Sequence, residues 1–100
     1  MSNNLKTLPA VTVGATAVQI TPTAMQSQNY HKWASVSIQS DPTNASGSVV
    51  YVGDSLVSTT RYSRALNPGD WWTISGSAID VNRIYVVGST TGLIVHPSGS

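Results

Sequence analysis

The sequence predicts an all-β fold, either an antiparallel β-sandwich or a jelly-roll-like small barrel of seven or eight strands. Apolar residues recur at every second position in short runs, which is the period of a half-buried strand and not that of a helix. Clusters of Gly, Pro, Asn and Asp separate these runs, as turns do between strands. One hundred residues suffice for one such core. We therefore expect an N-terminal arm, residues 1–7, followed by a single β-domain, residues 8–100.

The arm and the first two strands precede the longest segment without strand character. Residues 1–7 are polar and carry one charge, Lys6, so they lack the apolar surface needed to order themselves. We expect the arm to be mobile in the free protein and ordered against a neighbouring subunit. Strands are predicted at 8–13 and 17–21, and the segment 21–29 has room for a helical turn.

The strand predicted at 32–39 has one apolar and one polar face. Val36 and Ile38 belong to the apolar face, whereas Trp33 falls on the polar side with the serines. An outward-facing tryptophan is unusual for a solvated strand and is typical of an interface.

The strand predicted at 70–75 divides its two tryptophans in the same way. Trp72 shares a face with Ile74 and is expected in the core, while Trp71 points outward. Residues 67–70, Asn-Pro-Gly-Asp, introduce this strand with Pro and Gly in the order of a type II turn.

The strands predicted at 48–53, 83–88 and 92–96 are apolar on both faces. A short piece at 56–58 is a candidate eighth strand, and residues 89–92 are expected to close a hairpin between the last two strands. A sandwich gives each sheet only one inner face, so the second apolar face needs a cover. We expect another subunit to supply it; the alternative is that residues 21–29 or 56–66 of the same chain fold over it.

Charged residues are scarce, and most of the polarity comes from Ser and Thr. The chain has five basic and four acidic residues and a formal net charge of +1, without the basic stripe that nucleic acid or an anionic membrane would attract. No apolar run has the length of a signal peptide or a membrane span. We therefore expect no nucleic acid and no membrane as partners, and no signal peptide.

The sequence contains one string that resembles a catalytic motif. Residues 53–56, Gly-Asp-Ser-Leu, match the nucleophile block of the GDSL-type serine hydrolases, but the residue three before His96 is Leu93 and not the Asp of their Asp-x-x-His pair. His31 and His96 lack the neighbours of a metal set, and the aspartates fall at turns, where they cap backbone amides. We expect no enzyme activity, no metal and no cofactor.

Aromatic and cationic residues are the candidates for a protein interface. Arg61, Tyr62 and Arg64 form the only local cluster of this kind, and stacked Arg and Tyr can bind a partner carboxylate, a base or a sugar. With the outward tryptophans and a neighbouring tyrosine, the predicted interface residues are Tyr30, Trp33, Arg61, Tyr62, Arg64 and Trp71.

The second half of the chain resembles the small β-domain virion proteins of tailed bacteriophages. The resemblance lies in residues 50–53 (Val-Tyr-Val-Gly), 66–70 (Leu-Asn-Pro-Gly-Asp), 72–74 (Trp-Thr-Ile), 79–80 (Ile-Asp), 83–88 (Arg-Ile-Tyr-Val-Val-Gly) and 92–96 (Gly-Leu-Ile-Val-His). It implies a virion structural protein, most specifically a capsid decoration or cement protein that binds the head lattice. It also implies that the protein is made in the host cytoplasm and located in the virion.

The partners expected from this resemblance are the major capsid protein or another virion protein. Such proteins often form homo-oligomers, including trimers, and the resemblance carries no catalytic residues. Two alternatives stay open, a carbohydrate-binding β-sandwich module and a component of the phage neck or fibre, because these functions share small β-domains.

Overall fold

The structure is a computed structural model that describes residues 6–7, 9–20, 32–80 and 83–99. These residues form nine strands: β1 (Lys6–Thr7), β2 (Val11–Val13), β3 (Val18–Gln19), β4 (Lys32–Ser40), β5 (Val50–Gly53), β6 (Arg64–Leu66), β7 (Trp71–Asp80), β8 (Tyr85–Gly88) and β9 (Leu93–Gly99). All pairings between strands are antiparallel.

The strands form two packed sheets that do not close into a barrel, so the prediction of a small β-sandwich is confirmed. The larger sheet has the order β1-β9-β4-β7, with β2 also on β9. The smaller sheet has the order β3-β8-β5-β6. Strands β1 and β2 lie one after the other along β9, so the larger sheet is four strands wide. Pro97, which has no N–H to donate, lies between their two pairing regions.

The core lies between the sheets and is built from the apolar faces that alternation predicts. Its buried side chains are mostly aliphatic: Val13, Ile20, Val36, Ile38, Val50, Val52, Leu66, Ile84, Val86, Leu93 and Val95. Branched aliphatic side chains suit a pleated surface that is packed on one face.

The segment 89–92 was predicted to close a hairpin, and this prediction is wrong. Strand β8 pairs with β3 and β5 in the smaller sheet, whereas β9 pairs with β1, β2 and β4 in the larger one. The segment therefore carries the chain from one sheet to the other. The chain turns tightly at the start of this connection, and Gly88 leaves room for the turn. A Cβ at this position would lie only 2.7 Å from the Thr90 carbonyl oxygen.

Several strand boundaries differ from the predicted ones. Strand β7 continues to Asp80 instead of ending at residue 75, because it keeps pairing with β4 beyond an irregularity between Trp33 and Ser35. Residues 56–58 do not form a strand; Ser58 makes only an isolated bridge with Arg61. The additional strand of the smaller sheet is β6.

The predicted arm is partly incorporated into the fold. Lys6 and Thr7 pair with Gly99 and Ser98 of β9, so the backbone at these two positions belongs to the larger sheet and not to a free arm. The rest of the predicted arm, residues 1–5, and the segment 21–29 lie outside the described residues.

Candidate protein-binding groove

A groove opens where the smaller sheet ends at β6 and the larger sheet ends at β7. Its volume is about 540 Å³, and it is lined by Tyr62, Ser63, Arg64, Ala65, Leu66, Asp70 and Trp71. Three of the six predicted interface residues, Tyr62, Arg64 and Trp71, thus lie together on one concave surface.

The turn between β6 and β7 sets the shape of this groove. Gly69 has a φ of 87°, and the Asp70 amide donates to the Asn67 carbonyl oxygen over 2.9 Å, so the type II turn predicted for 67–70 is confirmed. The Asp70 carboxylate accepts a hydrogen bond from the Asn67 amide over 3.0 Å. This closed turn fixes the position of Trp71 relative to β6.

Trp71 is the large apolar side chain of the groove, and 55% of it is exposed. Its neighbour Trp72 is only partly exposed and packs against the core cluster. The predicted division of the two tryptophans between the faces of β7 is therefore confirmed. Tryptophan and arginine, which both line this groove, are enriched among the residues that dominate binding at protein interfaces.

Tyr62 reaches the groove from the loop between β5 and β6. Its ring lies 4.7 Å from the ring of Tyr51, measured between centroids, at an interplanar angle of 45°. This distance lies in the range that favourable aromatic pairs adopt. Tyr62 remains 49% exposed, so it can also contact a partner.

The same loop covers part of the outer apolar face of the smaller sheet. Val57 is buried, and a Cβ added to Gly53 would lie 3.0 Å from its side chain. Val50 and Val52 point into the core, so positions 51 and 53 belong to the outer face of the sheet. We expected another subunit as the cover; over this part of β5 the cover is the chain's own loop, which was the alternative.

Arg61 lies beside the groove in a smaller depression of about 180 Å³ that it lines with Asp54 and Tyr62. The structure thus places Arg61, Tyr62, Arg64 and Trp71 along one side of the molecule. Tyr30 lies outside the described residues. Trp33 is described only in its backbone, as part of β4.

The outer face of the larger sheet continues from Trp71 as a polar surface. Register places Trp71 beside Gln39 and Gln39 beside His96, so the three residues form one row across β7, β4 and β9. The next row contains Ser37 and Thr73, whose hydroxyl oxygens are 3.0 Å apart.

A histidine–aspartate pair borders this polar face. The Nε2 atom of His96 lies 2.6 Å from Oδ2 of Asp41, and 44% of the histidine side chain is exposed. Hydrogen bonds from the Thr43 hydroxyl, from His96 and from the Thr43 amide lower the pKa of Asp41 from 3.8 to about 2. The carboxylate is therefore held in its charged form.

Sequence reasoning missed this pair because 55 residues separate its members. The only available signal was the predicted strand that ends just before Asp41, and nothing in the sequence shows that β9 pairs with it. Asp41 does cap a turn as predicted, and so do Asp54 and Asp70.

The string Gly-Asp-Ser-Leu forms the turn that follows β5. The Asp54 carboxylate accepts from the Leu56 amide over 2.9 Å, and Ser55 is exposed. In the described part of the chain, no group of three or more His, Asp or related side chains is placed to hold a metal ion. The same part contains no helix long and apolar enough to cross a membrane.

Comparisons with protein-family models, curated proteins and solved structures found no match for this chain.

Proposed function

We propose that this protein is a structural component of a tailed-phage virion, and more specifically a capsid decoration or cement protein that binds the major capsid protein or another virion protein. The proposal rests on the resemblance of the second half of the chain to such proteins. The confirmed β-sandwich agrees with it, because those proteins use small β-domains as rigid binding modules.

The structural observation that carries the binding part of the proposal is the groove between β6 and β7. It brings Tyr62, Arg64 and Trp71 together, and these are residue types enriched at the centres of protein interfaces. Burying Trp71 against a partner would remove apolar surface from water. Each Å² of apolar surface buried in this way contributes about 25 cal/mol of favourable free energy. Arg64 and Asp70 give the groove charges of both signs for pairing at the rim.

The mechanism is repeated binding and not chemistry. Each contact of a domain this small contributes modestly, but a capsid lattice offers the same site many times. Each bound copy that touches two neighbouring lattice subunits links them, so the lattice becomes harder to separate.

The experiment is binding of the purified protein to particles produced without its gene. We expect the wild-type protein to sediment with these particles, Trp71→Ala to weaken binding by about tenfold or more, and Arg64→Ala to weaken it by a smaller factor. Leu56→Ala is the matched control, because Leu56 is 61% exposed but does not line the groove. Wild-type protein that stays in the supernatant, or Trp71→Ala binding as wild type, would refute the proposal.

A second candidate, a carbohydrate-binding module, is favoured by the row of Trp71, Gln39 and His96. An exposed indole on a sheet face, flanked by hydrogen-bonding side chains, is a suitable platform for a sugar ring. Titration with soluble glycans separates the two functions: a glycan binder would show saturable binding that Gln39→Ala and Trp71→Ala both abolish, without any particle present.

A further inference from the structure

We propose that the free edge of β7 pairs with the β7 strand of a second copy of this chain, antiparallel and centred on Thr73. The contact joins two larger sheets into one continuous sheet across a two-fold axis. The inference goes beyond the virion role and does not depend on it, since it concerns only how the protein associates with itself.

Among the described residues, no strand pairs with the second edge of β7. It is the last strand of the larger sheet and, among the described residues, its strand partner is β4. The Ser40 amide donates to the Asp70 carbonyl oxygen, which makes this residue pair a hydrogen-bonded one. Bonded and non-bonded pairs alternate along an antiparallel ladder. Trp72 and Ile74 therefore direct their backbone groups at β4.

By the same alternation, Trp71, Thr73 and Ser75 direct their N–H and C=O groups at the open edge. A two-fold axis at Thr73 places Thr73 opposite its own copy and Trp71 opposite the second copy's Ser75. Every edge-directed residue of this stretch then enters a bonded pair, and each pair exchanges both N–H···O=C bonds.

The charge pattern is compatible with this register. Residues 71–79 contain no charged side chain, and Asp70 and Asp80 flank them. An axis at Thr73 places Asp70 opposite Gly76, so this register sets no two charged side chains against each other. Proteins that keep a sheet edge solvated usually protect it with Lys, Pro or an inward charge, and Trp71–Ser75 has none of these.

The inner face of β7 is also incompletely buried. Ile74 and Trp72 pack against the core but retain partial exposure. The β4 residues paired with them, Val36 and Ile38, are fully buried. In the proposed contact Trp72 of each copy lies opposite Ile74 of the other copy. Each copy would thus cover the apolar surface that the other leaves open.

The first test uses charge at the position that faces itself. Thr73 is exposed, so Thr73→Lys and Thr73→Glu should leave thermal unfolding nearly unchanged at concentrations where the wild-type protein is also monomeric. Each variant alone places like charges opposite each other and should weaken the dimer seen by light scattering by about tenfold or more. An equimolar mixture places Lys opposite Glu and should restore the dimer. A mixture that stays monomeric, or a single variant that dimerises as wild type, would overturn the proposal.

The second test needs no substitution. Amide hydrogen exchange of the wild-type protein is measured across a dilution series. The amides of Thr73 and Ser75 should become protected only at concentrations where the dimer forms, while those of Trp72 and Ile74, bonded to β4, should be protected throughout. Wild-type protein that is monomeric at every concentration would contradict the proposal. A trimer would as well, because a two-fold contact closes at two copies.

Discussion

Asp41 and His96 show what a single strong contact does on the surface of this sandwich. The Asp41 carboxylate accepts hydrogen bonds from the backbone amide and the hydroxyl of Thr43, and it is also bound by the His96 imidazole. All three interactions favour the charged form, and together they outweigh the partial desolvation that opposes it. The pair joins the turn after β4 to β9, so it links two strands of the larger sheet.

The lowered pKa of Asp41 predicts an acid-sensitive contribution to stability. Because the pKa is about 2 in the folded protein and 3.8 in the unfolded chain, the contribution is present above pH 3.8 and is lost as the pH falls towards 2. We expect Asp41→Asn to lower the thermal midpoint near neutral pH and to flatten its decline over this interval. Thr43→Val, which removes the largest cause of the shift, should flatten it partly. An acid profile of Asp41→Asn parallel to that of wild type would contradict this assignment.

At the scale of single residues, alternation is sufficient to predict which side chains face the core. It places Trp72 inward and Trp71 outward because successive residues of a strand point to opposite faces. It cannot predict Asp41 beside His96, since that contact depends on which strands are neighbours. Tyr62 and Arg64 were predicted as interface residues because they are an aromatic and a cationic residue close together in the sequence. Their proximity to Trp71 depends on the turn at 67–70 and could not be predicted in the same way.

At the scale of elements, β7 is the strand on which the candidate groove and the proposed dimer both depend. Its register with β4 decides which face each tryptophan occupies, since a shift of one residue would exchange them. The pairing Ile38 with Trp72 and Gln39 with Trp71 sets this register.

Two alanine substitutions test the register of β7. Trp72→Ala removes a large side chain packed on the core and should cost about 3 kcal/mol of unfolding free energy. Trp71→Ala removes a side chain that is 55% exposed and should change the free energy by less than about 0.5 kcal/mol in the monomer. Denaturant titrations of both variants under monomeric conditions supply the comparison. Equal, large losses would show that the register is wrong.

The limits of several strands could not be predicted from local pattern. Strand β6 was missed because Arg64 and Ala65 are not residues typical of strands, and its existence depends on pairing with β5. Residues 56–58 look like a strand because Leu56 and Val57 are apolar, yet Val57 is buried as part of a loop. Strand β7 extends to Asp80 because β4 offers a partner for that length.

At the scale of the molecule, the period of two identifies strands but does not assign them to sheets. The segment 89–92 was predicted as a hairpin because its two flanking strands are adjacent in sequence, yet it connects the two sheets. An all-β fold of packed sheets was predictable from the number and period of the strands, but the choice between sandwich and barrel was not. The function is a property of the surface, and its partner is not encoded in the packing of the core.

We propose above that this protein is a virion component that acts by binding. We propose to measure its copy number in purified, washed particles of a phage whose genome carries its gene, by quantitative mass spectrometry against the major capsid protein. We expect a fixed ratio that is the same in independent preparations and that falls when Trp71→Ala replaces the wild-type residue. Absence of the protein from washed particles, or trace amounts that vary between preparations, would contradict it.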